Sequence, residues 1–285
     1  MKKILTTTNY ELIPLNDKTN VRFYTSIDCG SYVAPHWHDA VEIIYLQKGH
    51  LKIIMENDSY QLEDNQCFII SPNRIHSTLC TKPNQAIVFQ IPISFINKFI
   101  PHTNSLEFNL KDPANTLVQQ GKVDNLKDTL NKMQFLVDYE PDGAVLRFNS
   151  LLFEVLFQLY HNFSTPTVSS NLTRHNKDLE KLEPILLYIT ENYNKPISLE
   201  EISNIAMFEP KYFCRFFKKC MGITFLGYQN EIKLSKIYDD LLKTDDTISK
   251  ILERHGFTNY KKFRQLFYSH FGTTPSEIRK SFRFS

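Results

Sequence analysis

Two stretches near the end of this 285-residue chain repeat one another: "YFCRFFKKCMGITF" from Tyr212 and "KFRQLFYSHFGTTP" from Lys262. Phe213 falls on Phe263, Phe217 on Phe267, Gly222 on Gly272 and Thr224 on Thr274, each pair 50 positions apart. Upstream, Leu199 matches Ile248 and Ile202 matches Ile251 at an offset of 49. Each unit reads as a short helix, a tight turn ("MFEP" or "GFTN") and a longer helix with one apolar face. Phe213, Phe216, Phe217, Phe263 and Phe267 have the spacing of a buried stripe. The opposite face carries Lys211, Arg215, Lys218 and Lys219 in the first unit, and Lys261, Lys262 and Arg264 in the second. Such a pair is a tandem helix-turn-helix, whose second helices can enter the major groove of DNA. The alternative is a helical protein-binding domain with cationic faces. The joining segment "YQNEIKLSKIYDDLLKT" reads as one connecting helix.

Charge follows the same division. The chain's net +2 combines +5 over residues 196–285 (15 Lys+Arg against 10 Asp+Glu) with −3 over the remainder. A basic tail domain beside a slightly acidic body suits polyanion binding. Five cysteines, an odd number with no CxxC pair, suit reduced thiols better than a disulfide frame or zinc knuckle. The start lacks a signal-peptide apolar run, and no window approaches the roughly 18 apolar residues of a membrane span. A cytoplasmic protein without membrane association is expected.

The segment "PISLEEISNIAMFEPKYFCRFFKKCMGITFLGYQNEIKLSKIYDDLLKTDDTISKILERHGFTNYKKFRQLFYSHFGTTPSEIR" resembles the DNA-binding domain of AraC/XylS-type transcriptional regulators. The resemblance covers roughly residues 180–280 and is strongest in "YFCRFFKK", "GITF", "TDDTISKI", "HGF" and "FGTTPSEIR". It implies two recognition helices placed in successive major grooves on one DNA face. Lys211, Cys214 and Arg215 are then expected at base edges, Lys218 nearer the backbone and Tyr212 at either. In the second unit Tyr260, Lys261, Arg264 and Gln265 take the groove-facing positions, with Lys262 closer to phosphate. The chain departs from the family at Ser203 and Leu252, where a small residue is usual, at Met207 for Gly, and at Gln265 for Arg. Leu252 should push the second unit's helices apart, and Met207 must adopt a turn geometry that Gly takes freely.

The first half has a different period. Between about Val21 and Ile93, runs such as "VRFYTSI", "VEIIYLQ", "LKIIME" and "QAIVFQIPI" alternate with turn clusters such as "QKGH" and "SPNR", as short strands of a barrel do. Two amphipathic helices are expected between Thr116 and Phe163. Their apolar faces exceed what a small barrel can cover, so they form the expected dimerisation segment; folding back on the barrel is the alternative. The polar stretch 164–177 reads as a linker. "SLEE" at Ser198 and "TPSE" at Thr274 have capping-box spacing.

Within the barrel text, "GSYVAPHWHDAVEIIYLQKG" resembles the first cupin motif and "SPNRIH" a shortened second one that lacks its usual glycine. His36, His38, Glu42 and His76 match the positions that converge inside cupin barrels, and alternation sends Trp37 to the opposite strand face. Three imidazoles and a carboxylate suit zinc, iron, manganese or nickel. The sensor halves of AraC-type regulators are themselves cupin-like and usually hold a small effector without a metal. The resemblance therefore favours an effector site at His36, His38, Glu42 and His76, with Arg22 and Tyr24 as further contacts. Neutral His, carboxylate and aromatic faces make a carbohydrate the best single guess.

The expected architecture is α+β: a cupin-like effector and dimerisation domain (1–163), a linker (164–177) and an all-α domain (178–285) with two helix-turn-helix units. The expected function is sequence-specific regulation of transcription, with activation favoured. The expected partners are double-stranded DNA, a small effector, a second copy of the chain and, for an activator, RNA polymerase. No cofactor and no catalysis are expected. The competing readings are a metal-dependent cupin enzyme with a helical accessory domain, and an effector-free regulator.

Overall fold

The computed structural model describes residues 11, 13–55, 58–110, 117–167, 169–257 and 259–283. Eight strands follow the alternating text: β1 (Arg22–Asp28), β2 (Ser31–His36), β3 (Ala40–Lys48), β4 (Leu51–Met55), β5 (Asp58–Leu62), β6 (Gln66–Ile70), β7 (His76–Cys80) and β8 (Asn84–Pro92). They pair antiparallel into two four-stranded sheets, ordered β1-β8-β3-β6 and β2-β7-β4-β5. Successive side chains on β3 divide between the two sides of its sheet. Val41, Ile43 and Tyr45 join the helix-facing core, whereas Ile44 and Leu46 join the barrel interior with Leu51, Ile53 and Ile70.

A short α1 (Ile93–Ile96) and β9 (Leu106–Phe108) lead to a hairpin of α2 (Leu117–Tyr139) and α3 (Ala144–Asn162). Leu126, Leu130 and Met133 of α2 pack with Phe148, Leu152, Val155 and Leu159 of α3 against the first sheet. This is the folding-back arrangement, but it satisfies only one face of α3. Leu146, Phe153, Phe157 and Tyr160 remain 45–79% exposed.

The stretch 164–177 is not the irregular linker its composition suggested. Ser164–Pro166 forms β10, paired with β9, and α4 begins at Ser169 and runs to Asn192. Once the apolar periodicity of Leu179, Leu182, Leu186 and Ile189 establishes a helix, extension through polar residues adds one hydrogen bond per residue fixed.

The remaining elements are α5 (Leu199–Ile205), α6 (Pro210–Met221), α7 (Phe225–Lys243), α8 (Ile248–Arg254), α9 (Tyr260–Phe271) and α10 (Pro275–Arg283). Both predicted capping boxes form. Ser198 Oγ accepts from Glu201 N, and Thr274 Oγ1 accepts from Glu277 N while Glu277 accepts from Thr274 N. Gly222 and Gly272 end α6 and α9 in the left-handed region. α4 to α7 enclose one core and α7 to α10 another, with α7 shared. The outer side of the β2–β7 sheet carries both cores: Trp37 and Ile75 enter the first, Tyr32 and Leu79 the second. No described helix is long and apolar enough to cross a membrane.

Candidate functional site

The two longer helices of the repeat, α6 and α9, each divide cleanly into a buried and an open face. Phe213, Phe217, Phe263 and Phe267 are fully buried and Phe216 nearly so. Lys211, Tyr212, Cys214, Arg215 and Lys218 on α6, and Tyr260, Lys261, Lys262, Arg264 and Gln265 on α9, are all exposed. Each helix is started by a side-chain cap: Glu209 accepts from Tyr212 N ahead of α6, and Asn259 from Lys262 N ahead of α9. Tyr260, Lys261, Arg264 and Gln265 also border a groove of about 510 Å3 that Tyr268 of the same helix lines with Thr274 and Pro275. Tyr268 was not singled out from the sequence, although it lies one turn beyond Arg264 and is 59% exposed.

The turn of the first unit has the left-handed geometry expected at Met207. Met207 takes φ +53°, and Gly256, its counterpart, +68°. Leu252 is accommodated in the second core, and Ser203 is buried with its hydroxyl donating to Leu199 O at 2.6 Å. A polar strut joins the units: Tyr193 OH bonds His255 Nδ1 at 2.9 Å, and His255 Nε2 bonds Asp240 at 2.9 Å. Asp240 accepts, so Nε2 carries the proton and Nδ1 accepts from tyrosine.

The second site lies inside the barrel. A cavity of about 160 Å3 is lined by His36, Glu42, His76, Tyr24, Gln90 and Glu11, with Asp28, Thr78 and Asn84 among its other walls. His38 sits behind this lining. Its Nε2 meets Glu42 Oε2 at 2.7 Å and its Nδ1 meets Ala40 O at 3.1 Å. Both partners only accept when Glu42 is ionised, so both ring nitrogens donate and His38 is an imidazolium. Burial acts to lower its pKa, but the hydrogen bond and charge of Glu42 carry it above the ordinary value. Burial likewise raises Glu42, yet bonds from His38 and Gln90 and the nearby His76 hold its carboxyl well below the usual range.

His36 and His76 face the opposite situation. His36 Nδ1 is 3.0 Å from Ala34 O and His76 Nδ1 2.9 Å from Arg74 O, which fixes the proton on Nδ1 in both rings. Each Nε2 then presents a lone pair. Among the described residues His76 Nε2 is buried without a hydrogen-bond partner, and His36 Nε2 lies 3.9 Å from Glu11 Oε2. Burial, with the neighbouring imidazole, drives His36 down to about 3, and burial lowers His76. Burial raises Tyr24 to about 12.

Arg22 is placed differently from expectation. Its guanidinium does not line the cavity but bonds Glu11 at 2.6 Å and Gln90 at 3.0 Å and lies 4.5 Å over the Tyr24 ring, bracing the wall from outside. Glu11 and Gln90 were not foreseen. Gln90 could have been, because the antiparallel register sets it beside Glu42; Glu11 precedes β1 and carries no periodic signal. A larger and more open groove of about 610 Å3 lies between residues 16–23 and the α2–α3 turn.

The Helix-turn-helix domain family matches residues 202–281 and the Cupin domain family residues 23–92. The chain is 24% identical to the uncharacterized HTH-type transcriptional regulator YdiP of Escherichia coli K12, over 87% of this chain and 81% of that protein. It is 23% identical to the HTH-type transcriptional activator RhaS of Pectobacterium atrosepticum, over 86% of each chain. A set of longer Staphylococcus aureus regulators is also matched at 21% identity, this chain spanning only 31% of their length. Among solved structures, ToxT of Vibrio cholerae aligns over 91% of this chain and 97% of its own at 15% identity and TM-score 0.48.

Proposed function

The chain belongs to the AraC-type helix-turn-helix transcriptional regulators, with a cupin domain ahead of the DNA-binding domain, and on that footing we propose that it is an effector-controlled activator reading two adjacent major-groove segments. The observation that carries the DNA reading is the presentation of all ten groove-facing side chains to solvent on two capped helices of one repeated design. The cations supply the sequence-independent part of affinity, and Arg215 and Arg264 the base preference. Selection of bound duplexes from a random-sequence pool tests this. Two protected segments about one helical turn apart on one face are expected. Enrichment of a single short site would break the tandem reading.

The barrel serves as a sensor rather than a catalyst. Its interior offers the lone pairs of His36 and His76 and the carboxyl oxygens of Glu42 and Glu11, an acceptor set that suits an occupant rich in hydroxyl donors. A carboxylate or fatty-acid head would meet acceptors. The volume, about 160 Å3, falls below the roughly 300–1,000 Å3 of drug-sized sites and equals about five waters' share of liquid. A hydroxyl-rich molecule no larger than one small sugar ring fits, which narrows the carbohydrate reading and disfavours a glycoside. Thermal shift against monosaccharides and polyols tests it; a ligand that raises Tm for the wild type should do nothing for His76→Phe.

The unpartnered His76 Nε2 supports a second reading, a bound metal. Ligand atoms of His36, His38 and His76 lie within 4.8 Å of one another. The fit is partial, because His38 would have to surrender the proton it shares with Glu42. Were an ion held there, these imidazoles would bind it and it would act as a Lewis acid or as a structural tie. Stoichiometric metal in the purified chain, with no salt-sensitive duplex binding, would favour the cupin enzyme. A homodimer through the open side of α3 completes the proposal; Phe157→Glu should leave a monomer in sedimentation.

A further inference from the structure

Strand β2 and the residue directly after it, Trp37, together touch both helix-turn-helix cores, and the cause is a break in the strand's register. In regular alternation, residues five apart face opposite sides of a sheet. Tyr32 and Trp37 are five apart, yet both leave the barrel on the side of the helical domain. The pairing of β2 with β7 shifts between Val33 and His36, a bulge that resets the phase. The same shift lets Val33 and His36, three apart, both line the cavity. Its partner β7 is regular: His76 and Thr78 face the cavity, while Leu79 and the residue just before the strand, Ile75, face the two helical cores.

Each outward anchor is elaborate. Trp37, the chain's only tryptophan, is 3% exposed in the core formed by α4 to α7. Tyr32 is 3% exposed in the core of the second unit. Its hydroxyl donates to Glu231 on α7, and its backbone carbonyl accepts from Ser235 Oγ at 2.8 Å. Its ring stands edge-on to His270, centroids 4.7 Å apart, and to Phe271 at 5.7 Å, and both of these close the C-terminal end of α9. His270 Nδ1 lies 3.5 Å from Glu231, so the recognition helix, the connecting helix and the barrel strand meet at Tyr32.

We infer that β2 is a two-point clamp that fixes the second recognition helix relative to the first, making Tyr32 a positioning residue for DNA readout. This rests on the regulator reading above. With the clamp closed, every groove-facing side chain remains exposed, so the docked arrangement leaves both recognition faces open to DNA. His36 sits between the two anchors beside the bulge, where an occupant of the cavity acts on the strand that holds both units.

The test uses the full chain and a duplex enriched by it from a random-sequence pool. Tyr32→Ala should lower the preference for that duplex over random duplexes at least tenfold, while affinity for random duplexes stays within about twofold, since phosphate contacts carry the latter. Acrylamide should quench Trp37 more readily in the variant, the second anchor having gone. Tyr32→Phe, which keeps the ring and loses the hydroxyl bond, should fall between wild type and Ala, and thermal melting establishes that each variant is folded. A folded Tyr32→Ala or Tyr32→Phe chain with unchanged preference and unchanged quenching overturns the clamp. Equal loss on selected and random duplexes overturns it too, because that would mark general damage. Failure of the wild type to enrich any duplex defeats the regulator reading itself, and the clamp with it.

Discussion

Met207 and Gly256 stand at the same point of two similar units, and their surroundings could hardly differ more. Both follow a short helix, both sit in the left-handed region, and each amide bonds the carbonyl three residues back at 3.1 Å. Met207 is 92% exposed. A Cβ on Gly256 would lie 1.9 Å from Asn194 O, because the second turn is pressed against the end of α4. The first turn thus demands only a backbone conformation, which a side chain can adopt at a cost. The second demands empty space. The same asymmetry runs through the units: the second is tied inward by the Tyr193–His255–Asp240 strut and by Arg254 to Asp240 and Asp246, whereas the position matching His255 is Ala206. The first unit carries more cations on its open face.

Substitution at the two turns should give the largest contrast. Gly256→Ala is expected to cost about 3 kcal/mol or more in chemical unfolding, from strain plus overlap with backbone. Met207→Gly should change stability by no more than about 1 kcal/mol, with the gain from relieved strain offset by unfolded-state entropy. Similar losses at both positions would erase the distinction.

Next in size are the groove contacts. Arg215→Ala should relax sequence preference by about 1–3 kcal/mol, and Arg264→Ala by less, since the second unit has Gln265 beside it and Glu277 at the start of the following helix. Lys218→Ala should weaken selected and random duplexes alike and reduce the salt slope by about 1. Competition binding in which Lys218→Ala matches the profile of Arg215→Ala would show the groove assignment to be wrong.

Acidification should separate the units more gently. Burial lowers the His255 pKa from its ordinary 6.5, with Asp240 acting in the opposite direction. The unfolded chain takes up a proton below about 6.5 that the folded chain resists, so this contribution is complete above that pH and is lost as pH falls. Melting curves from pH 7.5 downward should show the gap between wild type and His255→Gln narrowing, by at most about 1.4 kcal/mol per pH unit. A gap that widens would mean His255 is charged in the fold. The smallest effect belongs to the first unit's ion pair, Lys219 with Asp178 at 2.9 Å. Being half-open to solvent, it should contribute under about 1 kcal/mol when Lys219→Ala is compared by denaturant midpoint.

What could be read from the residues depended on how local the controlling interaction was. The strands, the helix caps, the buried Phe stripe and the exposed cations all follow from spacing within one element, and each is where periodicity put it. Glu42 and His76 face the cavity by plain alternation on their own strands, whereas His36 joins them across the bulge in β2. The polar run at 164–177 misled because helix extension outweighs the weak preferences of Ser, Thr and Asn. His38 was expected in the cavity and lies behind it, since Glu42 captures it four residues on. Trp37 turns outward as alternation with His36 requires, but Glu11 and the outward turn of Tyr32 on the same side were out of reach. One comes from a segment without period, the other from a bulge that no run of residue types announces.

The central claim is that two cationic helices neutralise phosphates along one duplex while reading its bases. Its most direct test is the affinity of the full chain for its own selected duplex as a function of salt. A linear log–log fall with a slope of about −0.9 for each phosphate neutralised is expected, and a shallower slope for Lys218→Ala. A salt-independent affinity, unchanged when that lysine is removed, would contradict it.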